Sequence, residues 1–312
     1  MTIPGTTDAT APTRLVASAD DGDGAFVRVH DLLVHRDYVG LLEAHGLTSI
    51  DAVFSYTCGE RLDKPGLERW RERMRLRLTG SDGGVTTLYV KRYVSPPWRE
   101  RVRRRWACPE ARSVAEVEWR WMRALARADV ACPTPVALAA RCDARSGRRS
   151  ALLTAAVPGD ALERWLARRG ALNRRTVRAL AMSLADLVTR FHAIGLVHRD
   201  LYLSHVFWHP HPGGPGALHL IDLQRVLRPR VRRSRWIVKD LAALNYSAPA
   251  HIVSTADRAR WLKRYLNVRR LDARARTLIR RVVRKTARIA AHDRRRAAVG
   301  DARAVRAPST SP

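Results

Sequence analysis

Leu196-Val197-His198-Arg199-Asp200-Leu201-Tyr202-Leu203-Ser204-His205 is followed by His219-Leu220-Ile221-Asp222-Leu223-Gln224-Arg225, which sets a second carboxylate twenty-two residues beyond Asp200. Upstream, Val177, Leu180, Ala181, Leu184, Leu187, Val188, Phe191 and Ile194 recur at helical spacing, which predicts a helix over 174–194 with Gly195 at its C-terminal cap. Between the two runs lies a Pro/Gly-rich turn, His209 to Gly216, and then a short apolar strand over Ala217–Leu223. Asp200 therefore leaves a helix on a loop, and Asp222 comes at the end of a strand. Beyond about residue 236 the pattern is largely helical to 298.

The N-terminal half reads differently. In Arg73-Met74-Arg75-Leu76-Arg77-Leu78-Thr79 apolar residues alternate with arginine, the period of a strand with one buried face. Ser81-Asp82-Gly83-Gly84 is a turn signal, and Val85–Val94 is β-branched and aromatic enough to be the return strand. Ile50–Tyr56 is read as a third short strand. After Pro96-Pro97, residues 113–126 predict a helix capped by Ser113, with Val114, Val117, Trp121 and Leu125 on one face. The run 151–157 is apolar and ends at Pro158-Gly159. A small β-rich part followed by a larger helical part is an α+β, two-lobed architecture. Its expected bounds are a domain over 25–298 with an N-lobe at about 45–152 and a C-lobe at about 157–298, between disordered tails at 1–24 and 299–312.

Two carboxylates on neighbouring loops, with Lys91 on an N-terminal strand and Glu118 on the next helix, match a division of labour for phosphoryl transfer. One acid orients the attacking hydroxyl, one holds Mg²⁺ on the phosphates, the lysine neutralises phosphate oxygens and the glutamate positions the lysine. A lone His-Arg-Asp carries little weight, since His35-Arg36-Asp37 supplies a second one. That copy lies too near the start for an ATP-binding lobe to precede it, and Leu42 stands where a polar residue belongs five positions after its Asp.

The C-terminal runs, with Arg235-Trp236-Ile237-Val238-Lys239-Asp240-Leu241, closely resemble the lipopolysaccharide kinase (Kdo/WaaP) family of the protein-kinase-like superfamily. Leu88-Tyr89-Val90-Lys91-Arg92-Tyr93 and Glu116-Val117-Glu118-Trp119-Arg120 carry the N-terminal part of the likeness. The resemblance implies a kinase that uses ATP and Mg²⁺ to phosphorylate a Kdo or heptose hydroxyl of the lipopolysaccharide inner core or a related glycolipid. It implies Asp200 as catalytic base and Asp222 as metal ligand. Lys91 would contact the nucleotide phosphates, paired with Glu118 rather than Glu116, and Asp240 would brace the catalytic loop. Thr154, Ala155 and Ala156 would form the hinge that reads adenine. His205 takes the place of the second metal-binding Asn, although Mg²⁺ prefers oxygen ligands, so a structural hydrogen bond is an equal reading. No G-x-G-x-x-G is present, and Gly59 is the one plausible phosphate-covering glycine. Asp240 follows Asp222 by only eighteen positions with no Ala-Pro-Glu, which leaves no room for a long activation loop and points to a small or sugar acceptor. A protein Ser/Thr or Tyr kinase, or a pseudokinase scaffold at a membrane, are the alternatives.

Composition bounds the remaining choices. With 46% hydrophobic residues in 312 the chain has enough apolar material for a core. Its 58 Lys+Arg against 29 Asp+Glu, a balance of +29, predicts anionic company. No RNA or DNA module accompanies the charge, so no specific nucleic-acid partner is expected. The four cysteines lack metal-ligand spacing, so neither zinc nor a disulfide framework is expected. With no signal peptide or long apolar run, the expectation is a cytoplasmic protein, peripheral at the inner face of the inner membrane if its basic segments meet anionic lipid. Those segments are Arg99–Arg105, read as a solvated basic linker or as a contact for an anionic acceptor or membrane, and an amphipathic helix around Leu278–Ile289, read as docked on its own domain or lying on a membrane.

Overall fold

The alternation over 73–79 becomes the longest hairpin of a sheet in a computed structural model of the chain, which describes residues 14–15, 24–62, 68–143, 147–168, 173–211 and 216–305. The described chain divides into two units. The first holds the residues up to Arg120 together with Thr134–Ala156, and the second holds Trp121–Pro133 and everything from Val157.

The first unit carries β1 (Arg14–Leu15), β2 (Phe26–Val29), β3 (Leu32–His35), β4 (Glu60–Arg61), β5 (Arg71–Thr79), β6 (Val85–Val94), β7 (Pro135–Asp143) and β8 (Gly147–Ala155). They form one antiparallel sheet in the order β2-β3-β7-β8-β6-β5-β4, with β1 also on β7. Met74, Leu76 and Leu78 of β5 and Leu88 and Val90 of β6 point to one face. There they pack on two short helices, α1 (Val39–Ala44) and α2 (Ile50–Ser55), through Leu42, Ile50 and Val53. Each such aliphatic side chain contributes about 1.5–3 kcal/mol on full burial.

Ile50–Tyr56 is thus a helix, not the expected third strand. Ser49 Oγ accepts from Ala52 N at 3.1 Å, a cap that starts a helix, and the buried residues Ile50 and Val53 stand three apart rather than two. The sheet also takes in β2 and β3, which precede the expected N-lobe start. The second His-Arg-Asp follows that hairpin and enters a 3₁₀ turn, and Arg36 N donates to Ala25 O at 2.9 Å. The basic run 99–105, read as a linker, is a helix, α3 (Trp98–Ala107). It leads to α4 (Val114–Arg127), whose Ser113 Oγ accepts from Glu116 N at 3.1 Å. The unit boundary falls within α4.

The second unit has a small antiparallel sheet, β9 (Asp160–Ala161), β10 (Val206–His209) and β11 (Ala217–Leu220), with β10 in the middle. Its helices are α5 (Leu162–Arg168), α6 (Arg174–Ala193), α7 (Arg233–Ser247), α8 (Thr255–Leu266) and α9 (Ala273–Val305). Asn173 Oδ1 caps α6 by accepting from Arg175 N at 2.8 Å, and Gly195 ends it at φ +85°, which an L side chain would resist. Val177, Leu180, Leu184, Leu187 and Phe191 of α6 are buried. A reciprocal Ser254/Asp257 cap opens α8, and the Ser254 hydroxyl, aided by Arg174, holds the Asp257 carboxyl down at about 2. Thr286 joins α9 to α7 by accepting from Asn245 Nδ2 at 3.1 Å. α9 runs on to Val305, into the stretch read as a tail. The remainder of both expected tails, 1–13, 16–23 and 306–312, lies outside the described residues, as does 212–215 of the Pro/Gly turn.

Gly159 shows why the chain breaks at Pro158-Gly159. Its φ is +86°, and a Cβ there would lie 2.1 Å from the Trp208 carbonyl oxygen. Gly159→Ala is expected to lower stability by at least about 2 kcal/mol, read as a drop in the urea midpoint with an unchanged m-value.

Candidate active site

In the second unit the Asp200 loop hangs from one buried carboxylate. Asp240, on α7 and fully buried, accepts from the backbone N–H of His198 at 2.7 Å and of Arg199 at 2.6 Å. His192 Nε2 sits 3.3 Å from the same carboxylate, and its Nδ1 lies 2.9 Å from the Tyr265 hydroxyl. A carboxylate only accepts, so Nε2 carries the proton and Nδ1 takes the one from the phenol. Burial pushes the Tyr265 phenol up to about 12, which keeps it a donor.

The two carboxylate-bearing runs are stitched together. His198 Nε2 donates to Ile221 O at 3.0 Å, Ile221 N donates to His205 O at 3.0 Å, and Val197 and Leu227 exchange backbone bonds at 3.0 and 3.1 Å. Burial is the main force holding the His198 pKa down, which favours the neutral ring; its Nε2 carries the donor bond, and its buried Nδ1 has no hydrogen-bond partner among the described residues. Arg199 at φ +72° and Asp222 at φ +56° occupy left-handed backbone. Those turns cost free energy that the Asp240 and Ile221 bonds offset.

Asp200 keeps a fifth of its side chain exposed. Its Oδ2 lies 2.7 Å and its Oδ1 3.0 Å from Nη1 of Arg225, with Lys239 Nζ 3.7 Å from Oδ1. Burial lowers the Lys239 pKa and the Asp200 charge opposes that shift. Neither cation drew attention in the sequence, where both were parts of longer runs. The 3₁₀ turn Leu223–Arg225 is what carries Arg225 to Asp200. His205 Nδ1 donates to the Asp200 carbonyl at 2.7 Å, which leaves Nε2 as the bare nitrogen, 3.9 Å from Asp222 Oδ2. Asp222 and His205 would offer a metal two donors from the protein. That fits a cation arriving on phosphate oxygens and keeping several waters, as Mg²⁺ does, better than a resident ion. Among the described residues no group of three or more His, Cys, Asp or Glu could hold one.

In the first unit, Lys91 lies on β6 opposite Arg73 of β5 and Leu152 of β8. Its Nζ reaches Glu118 Oε1 at 2.6 Å and Oε2 at 2.8 Å, with the glutamate side chain 5% exposed. Glu116 is occupied elsewhere, accepting from Arg112 N at 2.7 Å and Arg120 Nε at 2.8 Å. Gly59 packs against β5, where a Cβ would meet Leu76 Cδ2 at 2.4 Å, so close packing already requires a glycine there. Of the expected hinge, Thr154 ends the pairing of β8 with β7. The N–H groups of Ala155 and Ala156 donate to Thr134 O and Thr87 O, each at 2.9 Å. Those two amides are therefore engaged within the sheet.

The family profile described as "Lipopolysaccharide kinase (Kdo/WaaP) family" matches residues 68–265, a span that includes Lys91, Glu118, Asp200, Asp222 and Asp240. The chain belongs to the lipopolysaccharide kinase (Kdo/WaaP) family. It is 33% identical over 159 residues to the lipopolysaccharide core heptose(I) kinase WaaP of Pseudomonas aeruginosa, covering 48% of this chain and 59% of that protein. The Escherichia coli WaaP matches at 39% over 95 residues, covering 29% and 36%. The chain thus spans between about a third and three-fifths of these curated relatives' lengths. A solved structure of WaaP in complex with acyl carrier protein superposes with a TM-score of 0.63 at 26% identity, over 82% of this chain and 98% of that one. The fold is protein-kinase-like, as expected. Gly59 and α9 lie outside the matched span.

In this family member the Asp240 carboxylate satisfies two buried amides at once, and an amide side chain has only one oxygen to do so. Asp240→Asn is expected to cost about 2–3 kcal/mol in urea unfolding. Tyr265→Phe, which removes only the last link of the chain, should cost about 1 kcal/mol.

Proposed function

We propose that the protein transfers the γ-phosphate of ATP, with Mg²⁺, to a sugar hydroxyl of the lipopolysaccharide inner core or a related glycolipid. Heptose is favoured over Kdo as the acceptor, because the curated relatives are heptose(I) kinases. The observation that carries the reading is the Asp200 loop, with its carboxylate exposed between Arg225 and Lys239 and tied through Ile221 to the Asp222 segment.

Asp200 would accept the hydrogen bond of the acceptor hydroxyl and take its proton as the oxygen attacks phosphorus. Arg225 and Lys239 hold that carboxylate in place. They also supply positive charge where an anionic acceptor and a transferring phosphoryl group would meet. Asp222 and His205 would hold Mg²⁺, which when bound neutralises phosphate oxygens and orients them. Lys91 would neutralise further phosphate oxygens, and Glu118 fixes its ammonium. A peptide-directed reading lacks the long loop between Asp222 and Asp240 that an extended substrate uses.

The solved neighbour suggests an acyl carrier protein as partner. A cavity of about 300 Å³ in the second unit, walled by Leu162, Leu166, Leu184, Leu241 and Ile279, would receive its acyl chain. Work at the cytoplasmic face of the inner membrane follows from such an acceptor. No helix of the described residues is long and apolar enough to cross a membrane.

Purified chain with ATP, Mg²⁺ and core glycolipid should incorporate phosphate, and Asp200→Ala should lower the rate at least about 100-fold. Equal incorporation by both proteins would sink the reading.

A further inference from the structure

α3 is built as a two-faced element. On its outer face Trp98, Val102 and Trp106, four residues apart, are 62%, 59% and 53% exposed. A stripe of two tryptophans and a valine in water is an uncommon surface for a soluble domain, and indole rings favour the boundary between water and lipid headgroups. The helix carries five arginines against one glutamate, and Arg99 lies over the Trp98 ring at 5.7 Å.

The other side of α3 borders a cavity of about 470 Å³ within the first unit, whose wall includes Arg101 and Arg104 of α3, Arg112 and Ser113 before α4, and Arg148 and Ser150 of β8. None of its described lining residues is acidic. Arg141 and Arg149, which also line it, are bound to Asp31 and Asp51. The guanidinium groups of Arg101, Arg104, Arg112 and Arg148 have no ion pair among the described residues. Burial first, and then Arg148 and Arg105, depress the Arg104 pKa against the opposing pull of Glu116. The cavity is thus a cluster of arginines short of negative charge, with hydroxyl donors, the donor set that suits a phosphate ester.

We infer that α3 and this cavity form a docking site for the anionic leaflet of a bilayer, with a lipid phosphate among Arg101, Arg104, Arg112 and Arg148 and the Trp98–Trp106 stripe in the headgroup layer. Charge complementarity selects this occupant. A second copy of the chain would bring the same arginine-rich face against itself across a two-fold axis. A soluble phosphate would fill the cavity and leave the aromatic stripe in water. The inference deepens the membrane-surface reading and does not depend on phosphoryl transfer, because binding is read without nucleotide.

The test is sedimentation of the full chain with phosphatidylethanolamine vesicles containing about a quarter phosphatidylglycerol, against neutral phosphatidylcholine vesicles. Wild type should partition onto the anionic vesicles, with tryptophan fluorescence quenched by brominated acyl chains. W98S/W106S and R101Q/R112Q/R148Q should each lower the partition coefficient at least about tenfold, with unchanged circular dichroism. The quenching should vanish in W98S/W106S. Because the two tryptophans are exposed, that variant keeps the test valid should the arginine variant fail to fold. Undiminished partition of W98S/W106S would overturn the inference. So would equal binding to neutral vesicles, a dimer that dissociates on the tryptophan substitutions, or binding of inorganic phosphate without any vesicle binding. W98S/W106S should still phosphorylate a water-soluble, deacylated acceptor at the wild-type rate. Failure of the docking site and failure of the kinase reading are therefore separate results.

Discussion

The Asp240 carboxylate is the constraint on which the second unit depends. Buried charge is costly unless each lone pair finds a donor. Asp240 meets that demand with the amides of His198 and Arg199 and with the His192 ring, which Tyr265 backs in turn. The same bonds hold Arg199 in left-handed backbone, turn the chain so that the Asp200 side chain stays exposed, and bring the ring of His198 against Ile221 O. A loop that carries a partly exposed carboxylate is thereby fixed from its inner side by the buried Asp240 and His192. Positioning of this kind is what phosphoryl transfer asks of a protein, since the reaction needs charge and geometry more than covalent help.

The first unit solves a related problem with a single ion pair. Lys91 comes from the centre of a sheet and Glu118 from the helix that follows α3, and the pair is almost dry. Glu116 lies only two residues away, but its carboxylate closes the start of α4 and grips Arg120. Each glutamate has one task because a helix sends neighbours two apart to different faces.

The excess of positive charge separates into two populations. Arg92, Arg141, Arg149, Arg174, Arg225 and Arg264 are spent on carboxylates within the molecule, where they tie strand to strand, strand to helix, helix to helix and a 3₁₀ turn to the Asp200 loop. α3 and the outer side of α9 hold arginines that face water. For α9 the apolar side, with Leu278 and Ile279, lines the cavity of its own unit, so its basic residues are the solvated half of a packed helix. On α3 the apolar side itself is exposed, and this contrast singles it out among the basic segments.

Much of this was legible in the sequence. The alternation over 73–79, the helix over 174–194 and the order Lys91, Glu118, Asp200, Asp222 depend on local periodicity and chain order, which a linear sequence records directly. Ile50–Tyr56 reads as a strand because seven residues contain too few turns to separate a period of two from one of 3.6, and the deciding Ser49 cap is a single hydroxyl. β2, β3 and β7 were missed because β7 is short-chained and alanine-rich and the first hairpin lies before the strong signals. The residues around Asp200 show the limit most plainly. Sequence determined which carboxylates stand on loops, because patterning and turn residues act over a few positions. Only the tertiary structure decided that Arg225 and Lys239 reach Asp200, that Asp31 and Asp51 neutralise Arg141, and that four arginines around α3 are left without a carboxylate. Charges pair across distances in space that have no counterpart in chain separation, so their balance is settled only when the chain is folded.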